Sequence, residues 1–267
     1  MSNFVILDSV TLLTLEHRAQ AAYCASHGGV YAAYYAAKLG IGALIVNDAG
    51  IGRDRSGIAG LELLNSLGVP AAAISYQSAR IGDGNDGFER GVLSSVNAAA
   101  EKFGLIRDLT CADALRMLSS RALTPAPLPM PIRESRFNIR EPAHGACRVI
   151  GVDSNGLVTA TDVGAIVITG SHGGLLGGSP ATAIKFDARA AVFNDAGIGI
   201  DNAGVSRLAA LDARGIAGAC VSYMSARIGD ARSTYEDGVI SAVNATAAGL
   251  GGNVGQTCKE FVRVIAV

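Results

Sequence analysis

The sequence predicts an α/β protein assembled by internal duplication, and three observations carry that expectation. Residues 47–97 align with residues 194–244 without a gap, and 26 of the 51 positions are identical. Each copy alternates short β-rich apolar runs with Ala-rich stretches of helical length, the pattern of βαβ units and a mostly parallel sheet. The apolar runs are continuous rather than alternating, as strands covered on both faces require. Together these describe two Rossmann-like, flavodoxin-like halves related by a pseudo-twofold axis.

In the first copy, strands are expected at 4–7, 21–25, 43–46 and 71–75, with helices near 31–39, 57–67 and 88–102. In the second, strands are expected at 148–152, 165–169, 190–193 and 219–222, with helices near 181–186, 204–214 and 235–248. Asn155-Gly156 carries the residue signal of a tight hairpin between 148–152 and 157–161, although Ser9-Val10 replaces it in the first copy. A final helix closes each copy, because Thr110 and Thr257 each stand three residues before an acid, a capping-box spacing. Between the copies lie Pro125, Pro127, Pro129, Pro131 and Pro142, which exclude a regular helix or central strand. The expected organisation is therefore a first repeat at 1–120, a linker at 121–146 and a second repeat at 147–267.

Composition narrows the function. The chain is 49% hydrophobic but only 5% aromatic, with 34 glycines and no Trp, so its core must be built of small aliphatic residues. A net charge of −1 gives no basic surface for nucleic acid or an anionic membrane. No apolar run approaches the ~18 residues that span a bilayer. The five cysteines show no C-x-x-C spacing, and the start of the chain lacks a basic signal-peptide region, so reduced thiols and a cytoplasmic location are expected. Homo-oligomerisation is compatible with all of this.

The most faithfully repeated segments are polar. Cores drift readily among aliphatics of similar volume, so identical Asp, His, Arg and Ser positions ask for another reason. Ser26-His27-Gly28-Gly29 recurs as Ser171-His172-Gly173-Gly174, Asn47-Asp48 as Asn194-Asp195, and Ser78-Ala79-Arg80 as Ser225-Ala226-Arg227. Each motif follows an expected strand, and ligands of open parallel sheets bind outside the carboxyl ends of strands. The glycine pairs either supply backbone N–H groups to an anion at a helix start or make a tight turn. Ser26 and Ser171 either cap that helix or bind ligand.

Asp48 and Asp195 are candidate orienters or bases, with turn formation as the structural alternative. Asp54, Asp201, Asp83 and Asp230 are expected to cap helices. Arg80 and Arg227 are candidate forks for a carboxylate or phosphate, with a salt bridge to Asp48 or Asp83 as the alternative. If the His-bearing strand lay between the Asp-bearing and Ser-bearing strands, in a 2-1-3 order, Ser78, His27 and Asp48 would form a Ser-His-Asp set, as would Ser225, His172 and Asp195.

No G-x-S-x-G, P-loop lysine, dinucleotide fingerprint or zinc-spaced His pair occurs. The expectation is a metal-independent and cofactor-independent enzyme, a hydrolase acting on a small carboxylate, amide or imide. Its catalytic residues would be His27, Asp48, Ser78 and their second-copy equivalents. Ser26, Gly28, Gly29, Asn47, Arg80, Ser171, Gly173, Gly174, Asn194 and Arg227 would bind the ligand. The alternatives are a racemase or isomerase using one acid/base from each half, and a non-catalytic protein that binds or senses a small anion.

Overall fold

A computed structural model describes residues 4–140 and 147–266 of the chain; the expected linker residues 141–146 lie outside them. The chain forms two compact units. Unit 1 comprises Met1–Ile51, Arg55–Arg133 and Gly199–Asp201, and unit 2 comprises Gly52–Asp54, Glu134–Ile198 and Asn202–Val267.

In unit 1 the elements run β1 (Phe4–Leu7), β2 (Ala21–His27), α1 (Val30–Lys38), β3 (Ala43–Asn47), α2 (Gly60–Ser66), β4 (Ala71–Ile74), α3 (Gly84–Arg90), β5 (Leu93–Val96), α4 (Ala98–Glu101) and α5 (Cys111–Ser119). β1 to β4 are parallel, β5 is antiparallel to β4, and the spatial order is β1-β2-β3-β4-β5. This differs from the expected 2-1-3 arrangement. Each crossover places the next strand on the same side of the last, so the parallel run never reverses and contains no switch-point crevice. The Asp-bearing β3 accordingly lies between the His-bearing β2 and the Ser-bearing end of β4.

Both faces of the sheet are covered, which explains the continuous apolar strands. Ala22, Cys24, Leu44, Val46, Ala71 and Ala73 pack with α1 and α2. Ala21, Tyr23, Ala25, Ala43, Ile45, Ala72 and Ile74 pack with α5 on the other side.

The single helix expected near 88–102 is instead helix, strand and helix. Gly91 leaves the helical region at φ −61°, ψ 135°, Leu93–Val96 adds an antiparallel edge strand, and Asn97 caps α4 by accepting from Ala100 N–H. The Ala-rich composition of 98–101 concealed this break. In unit 2 the expected 235–248 helix divides in the same way.

Unit 2 holds β6 (Arg136–Arg140), β7 (Val149–Val152), β8 (Ile166–His172), β9 (Ala190–Asn194), α6 (Arg207–Asp212), β10 (Ala217–Val221), α7 (Ala231–Asp237), β11 (Ile240–Val243), α8 (Ala245–Gly249) and α9 (Cys258–Ile265). Its six strands are ordered β11-β10-β9-β8-β7-β6, with parallel pairing from β7 to β10 and antiparallel pairing at both edges. β6 arises from the expected linker, and as an edge strand it respects the proline constraint. No hairpin forms at Asn155-Gly156. Ser154 Oγ accepts from Gly156 N–H to make a 3-10 turn, and β7 and β8 run parallel. Thr110 and Thr257 cap α5 and α9 as the spacing implies. Among the described residues no helix is long and apolar enough to cross a membrane.

The helix expected at 181–186 is reduced to a 3-10 turn, Pro180–Thr182. The segment carries its own helix breakers, Gly177 and Gly178 at φ 55° and 67° followed by Pro180, and one aligned position differs beneath it. In unit 1 Gly60 lets α1 approach so closely that a Cβ there would stand 2.6 Å from Ala33 Cβ. The second copy has Arg207, whose buried guanidinium donates to the carbonyls of Gly174 (2.9 Å), Thr182 and Ala183. Burial lowers its pKa to about 10, still cationic at neutral pH. A loop whose carbonyls meet this cation takes the place of a helix.

β6 is held by charge. Arg136 grips buried Asp162 through two bonds of 2.9 and 2.7 Å, and Arg148 adds a third at 2.8 Å. Burial alone would raise the Asp162 pKa, but the Arg136 hydrogen bonds and the Thr159 N–H outweigh it and hold the carboxyl at about 2, below the usual 3.8. A depressed carboxylate pKa contributes stability that is complete above the unfolded value and lost as pH falls through the folded one. Asp162→Asn should therefore destabilise the protein by about 2–3 kcal/mol at pH 7, less than for a wholly buried pair because both arginines keep some solvent contact. The gap to wild type should narrow as pH falls from 4 toward the carboxyl pKa of about 2, and urea titrations at stepped pH would reveal a constant gap if the pairing contributed nothing.

The two cores also trade volume. Tyr23 is wholly buried, and its hydroxyl has no hydrogen-bond partner among the described residues. It fits because Gly87 faces it, where any Cβ would collide with the ring. The aligned pair in unit 2 is Ile168 and Thr234, and the Thr234 hydroxyl is satisfied by the Thr169 carbonyl at 2.9 Å. Tyr23→Phe removes an unsatisfied buried hydroxyl and should stabilise the protein by about 1 kcal/mol; a lower melting temperature would show that the hydroxyl does have a partner.

Candidate functional site

The repeated motifs stand at the carboxyl ends of β2, β3 and β4 in unit 1, and of β8, β9 and β10 in unit 2. Because these are adjacent parallel strands, each set shares one sheet edge. Register places His27 opposite Asn47 and His172 opposite Asn194.

The turn after β3 is left-handed over four residues: Ala49 (φ 49°), Gly50 (75°), Ile51 (65°) and Gly52 (68°). Ala196 to Gly199 repeat it at 48°, 80°, 63° and 71°. Glycine tolerates this conformation, whereas Ala and especially β-branched Ile do not. Two side chains hold the turn. Asn47 Oδ1 accepts from Ala49 N–H at 2.9 Å, and Asp48 Oδ1 accepts from Gly50 N–H at 2.9 Å. Asp48 also takes Tyr76 N–H on Oδ1 (2.9 Å) and the Ser94 hydroxyl on Oδ2 (2.7 Å), which ties the ends of β3, β4 and β5 together. Asp195 repeats this with Gly197 N–H (3.0 Å), Tyr223 N–H (2.8 Å) and Ser241. Burial raises the pKa of both carboxyls, and these hydrogen bonds only partly oppose it. Gly57 is required because a Cβ there would collide with the Asp48 carbonyl.

The candidate nucleophiles are engaged in backbone stitching. Ser78 Oγ donates to the Ser75 carbonyl (2.7 Å) and accepts from Val92 N–H (3.0 Å). Ser225 does the same with Ser222 and Val239. Ser26 Oγ accepts from Val10 N–H (2.9 Å), and Ser171 Oγ accepts from Asn155 N–H (2.8 Å), so each ties down the preceding turn. The glycine N–H groups are also in use: Gly28 donates to the Asn47 carbonyl and Gly29 to His27 Nδ1, as do Gly173 to Asn194 and Gly174 to His172.

Arg80 meets three carboxylates, Asp201 at 2.9 Å, Asp83 at 3.2 Å and Asp86 at 3.6 Å, while Arg90 joins Asp86 and Asp201. In unit 2 Arg227 pairs with Asp230 (3.1 Å) and Asp54 (3.2 Å). Asp54 and Asp201 are therefore ion-pair partners with left-handed backbones rather than helix caps, whereas Asp83 and Asp230 do cap α3 and α7. The cation changes element between the units, because Arg90 aligns with Asp237, which pairs with Arg53 at 3.4 Å. Ser94, Ser241, Tyr76, Tyr223, Asp54 and Asp201 escaped the sequence reading as site partners, although identity between the copies marks each of them.

His27 differs from this group. Burial lowers its pKa to about 4, so the ring is neutral at physiological pH. Its Nδ1 accepts the Gly29 N–H at 3.1 Å, and a neutral ring that accepts at Nδ1 carries its proton on Nε2. Nε2 is then a donor rather than a base. Burial pushes the thiols of Cys24, Cys111, Cys220 and Cys258 up, so none is a ready thiolate. Among the described residues no group of three or more His, Cys, Asp or Glu could hold a metal ion.

Comparison with protein-family models, curated proteins and solved structures finds no match to this chain.

Asp48→Ala removes the acceptor of two part-buried N–H groups, while the Ser94 hydroxyl keeps the Ala73 carbonyl at 3.2 Å, and should destabilise by about 2 kcal/mol, with Asp195→Ala close behind. Urea midpoints measure both. A loss below ~1 kcal/mol would show that the turn holds without its carboxylate.

Proposed function

We propose that the chain is an internally duplicated protein that binds a small metabolite bearing a carboxylate, amide or imide, received at the strand ends of His27 and His172. The observation that carries this reading is geometric: both histidines stand at equivalent strand carboxyl ends, and His27 Nδ1 accepts a glycine N–H, which in a neutral ring puts the proton on Nε2, in line with the lowering of its pKa by burial. Such shifts concentrate at functional sites. The equivalent His172 Nδ1 accepts from Gly174 N–H at 3.2 Å. A neutral Nε2–H donor suits the oxygen of a carboxylate, amide or imide. Binding without catalysis is the better supported version, because Asp48 and Ser78 already serve the fold through hydrogen bonds that a triad would have to break.

One observation favours a hydrolytic version. A neutral histidine donor can polarise a carbonyl; water would then add to that carbon in place of Ser78, and its proton would pass to the leaving nitrogen or oxygen as the C–N or C–O bond breaks. We take the cytoplasm as the compartment, on the strength of five unbridged cysteines, four of them buried.

The test is a thermal-shift screen of the full chain against small carboxylates, amides and imides, with any hit followed for turnover. His27→Gln or His172→Gln should weaken binding about tenfold, equivalent to ~1.4 kcal/mol. Affinity should stay flat between pH 5 and 8, because His27 is already neutral above its pKa of about 4. Turnover in wild type that disappears in a His→Gln variant but survives in Ser78→Ala would establish the hydrolytic version. Undiminished binding in both histidine variants would overturn the site.

A further inference from the structure

Unit 1 contains a cavity of about 660 Å³ beside the edge strand β5, lined by Arg55, Ser94, Ser95, Val96, Glu101, Leu105, Ile106 and Arg107. Its size falls within the range of small-molecule sites. Both arginines are exposed, and among the described residues neither guanidinium has an ion-pair or hydrogen-bond partner. This is unlike Arg53, Arg80 and Arg90, which all meet carboxylates. Ser95 likewise has a hydroxyl with no partner there, while Ser94 is bonded to Asp48 at 2.7 Å. Val96 and Ile106 supply an apolar wall.

The second copy gives an internal control. The alignment that matches Asn97 with Asn244 continues without a gap through Thr110 and Thr257, both of which form the same isolated bridge to their own unit. At the aligned positions Arg55, Ser95, Glu101 and Arg107 become Asn202, Ala242, Ala248 and Val254. The backbone persists, since Arg55 and Asn202 share left-handed φ values of 57° and 55°. The charges therefore do not serve the fold common to both copies.

We propose that this pocket binds a small organic anion, a carboxylate or a phosphate ester, held by the two guanidiniums and the Ser95 hydroxyl. Guanidinium forks match both groups, and neither arginine has to leave a carboxylate partner to reach the ligand. Glu101 opposes them and limits the charge the pocket accepts. This goes beyond the strand-end reading: it invokes neither histidine and belongs to unit 1 alone.

The experiment is calorimetric titration of the full chain with succinate and, separately, with inorganic phosphate, each at fixed ionic strength with sodium chloride as the control. The expected result is saturable binding of at least one, about tenfold weaker in Arg55→Asn and in Arg107→Gln, and tighter in Glu101→Gln. The tighter-binding anion identifies the ligand as a carboxylate or a phosphate ester. Arg55→Asn installs the residue that the second copy already carries in that conformation, and unchanged melting temperatures confirm that the variants fold. Any succinate bound at the strand ends is the component that His27→Gln weakens, whereas the pocket component is the one that Arg55→Asn and Arg107→Gln weaken and His27→Gln leaves in place, so loss of the strand-end site leaves this one standing. Binding of neither anion, or equal binding by wild type and both arginine variants, would overturn the proposal.

Discussion

The carboxylate of Asp48 holds together the part of unit 1 on which the sheet edge depends. The chain leaves β3 through a left-handed turn that includes Ala49 and Ile51, residues for which that conformation costs roughly 1–2 kcal/mol each. Asn47 Oδ1 and Asp48 Oδ1, each accepting from the N–H two residues on, offset this strain. The same carboxylate then collects Tyr76 N–H and the Ser94 hydroxyl. One buried group thus fixes a strained turn, the end of β4 and the register of β5. Asp195 performs the same task in unit 2.

This accounts for the uneven similarity of the two aligned segments. The β2 sequence AAYCASH and the β8 sequence IVITGSH share only their last two residues, yet both strands pack into buried cores. Apolar contacts are non-directional, so other side chains of fitting volume replace them, as Tyr23 with Gly87 and Ile168 with Thr234 illustrate. A hydrogen bond that closes a left-handed turn has few substitutes. The polar identities first read as catalytic, Asp48 and Ser78, or as ligand-binding, Asn47 and Ser26, all make hydrogen bonds that hold turns or strand ends. His27 and His172 also bond their own turns, but an imidazole is an unusual choice for that purpose alone.

The legible part of the fold was what local sequence determines. Strands covered on both faces, the Thr110 and Thr257 caps and the Asp83 and Asp230 caps depend on neighbours a few residues away. What escaped depends on partners far along the chain. The strand order turns on which side each crossover lies, and periodicity does not encode that. The break at Gly91 is confirmed only by the pairing of Leu93 with Ile74. The role of Asp201 becomes visible only when it meets Arg80 and Arg90, 121 and 111 residues away in sequence. The candidate site was legible in its location, at strand carboxyl ends, because that follows from βαβ order. Its chemistry was not, because a serine that stitches a turn and a serine that attacks a carbonyl read alike until the bonds of the hydroxyl are known.

Comparing the two aligned segments supplies a way to separate fold from function in a single chain. Positions that agree between copies and are saturated with internal bonds explain the scaffold, and Asp48, Ser78 and Arg80 belong there. Positions that differ while the backbone stays the same are free of that duty. Gly60 and Arg207 are not such a pair, because a helix covers the first and a loop bonded to the guanidinium meets the second. Arg55 and Asn202 are, and here the substitution changes charge without changing conformation. An exposed arginine held in a left-handed conformation, with no ion-pair partner among the described residues, does little for stability that Asn202 does not do equally well. Its charge is then free of the duty that the shared backbone imposes, which is the ground for the anion site proposed beside β5, where Arg55 and Arg107 line one cavity.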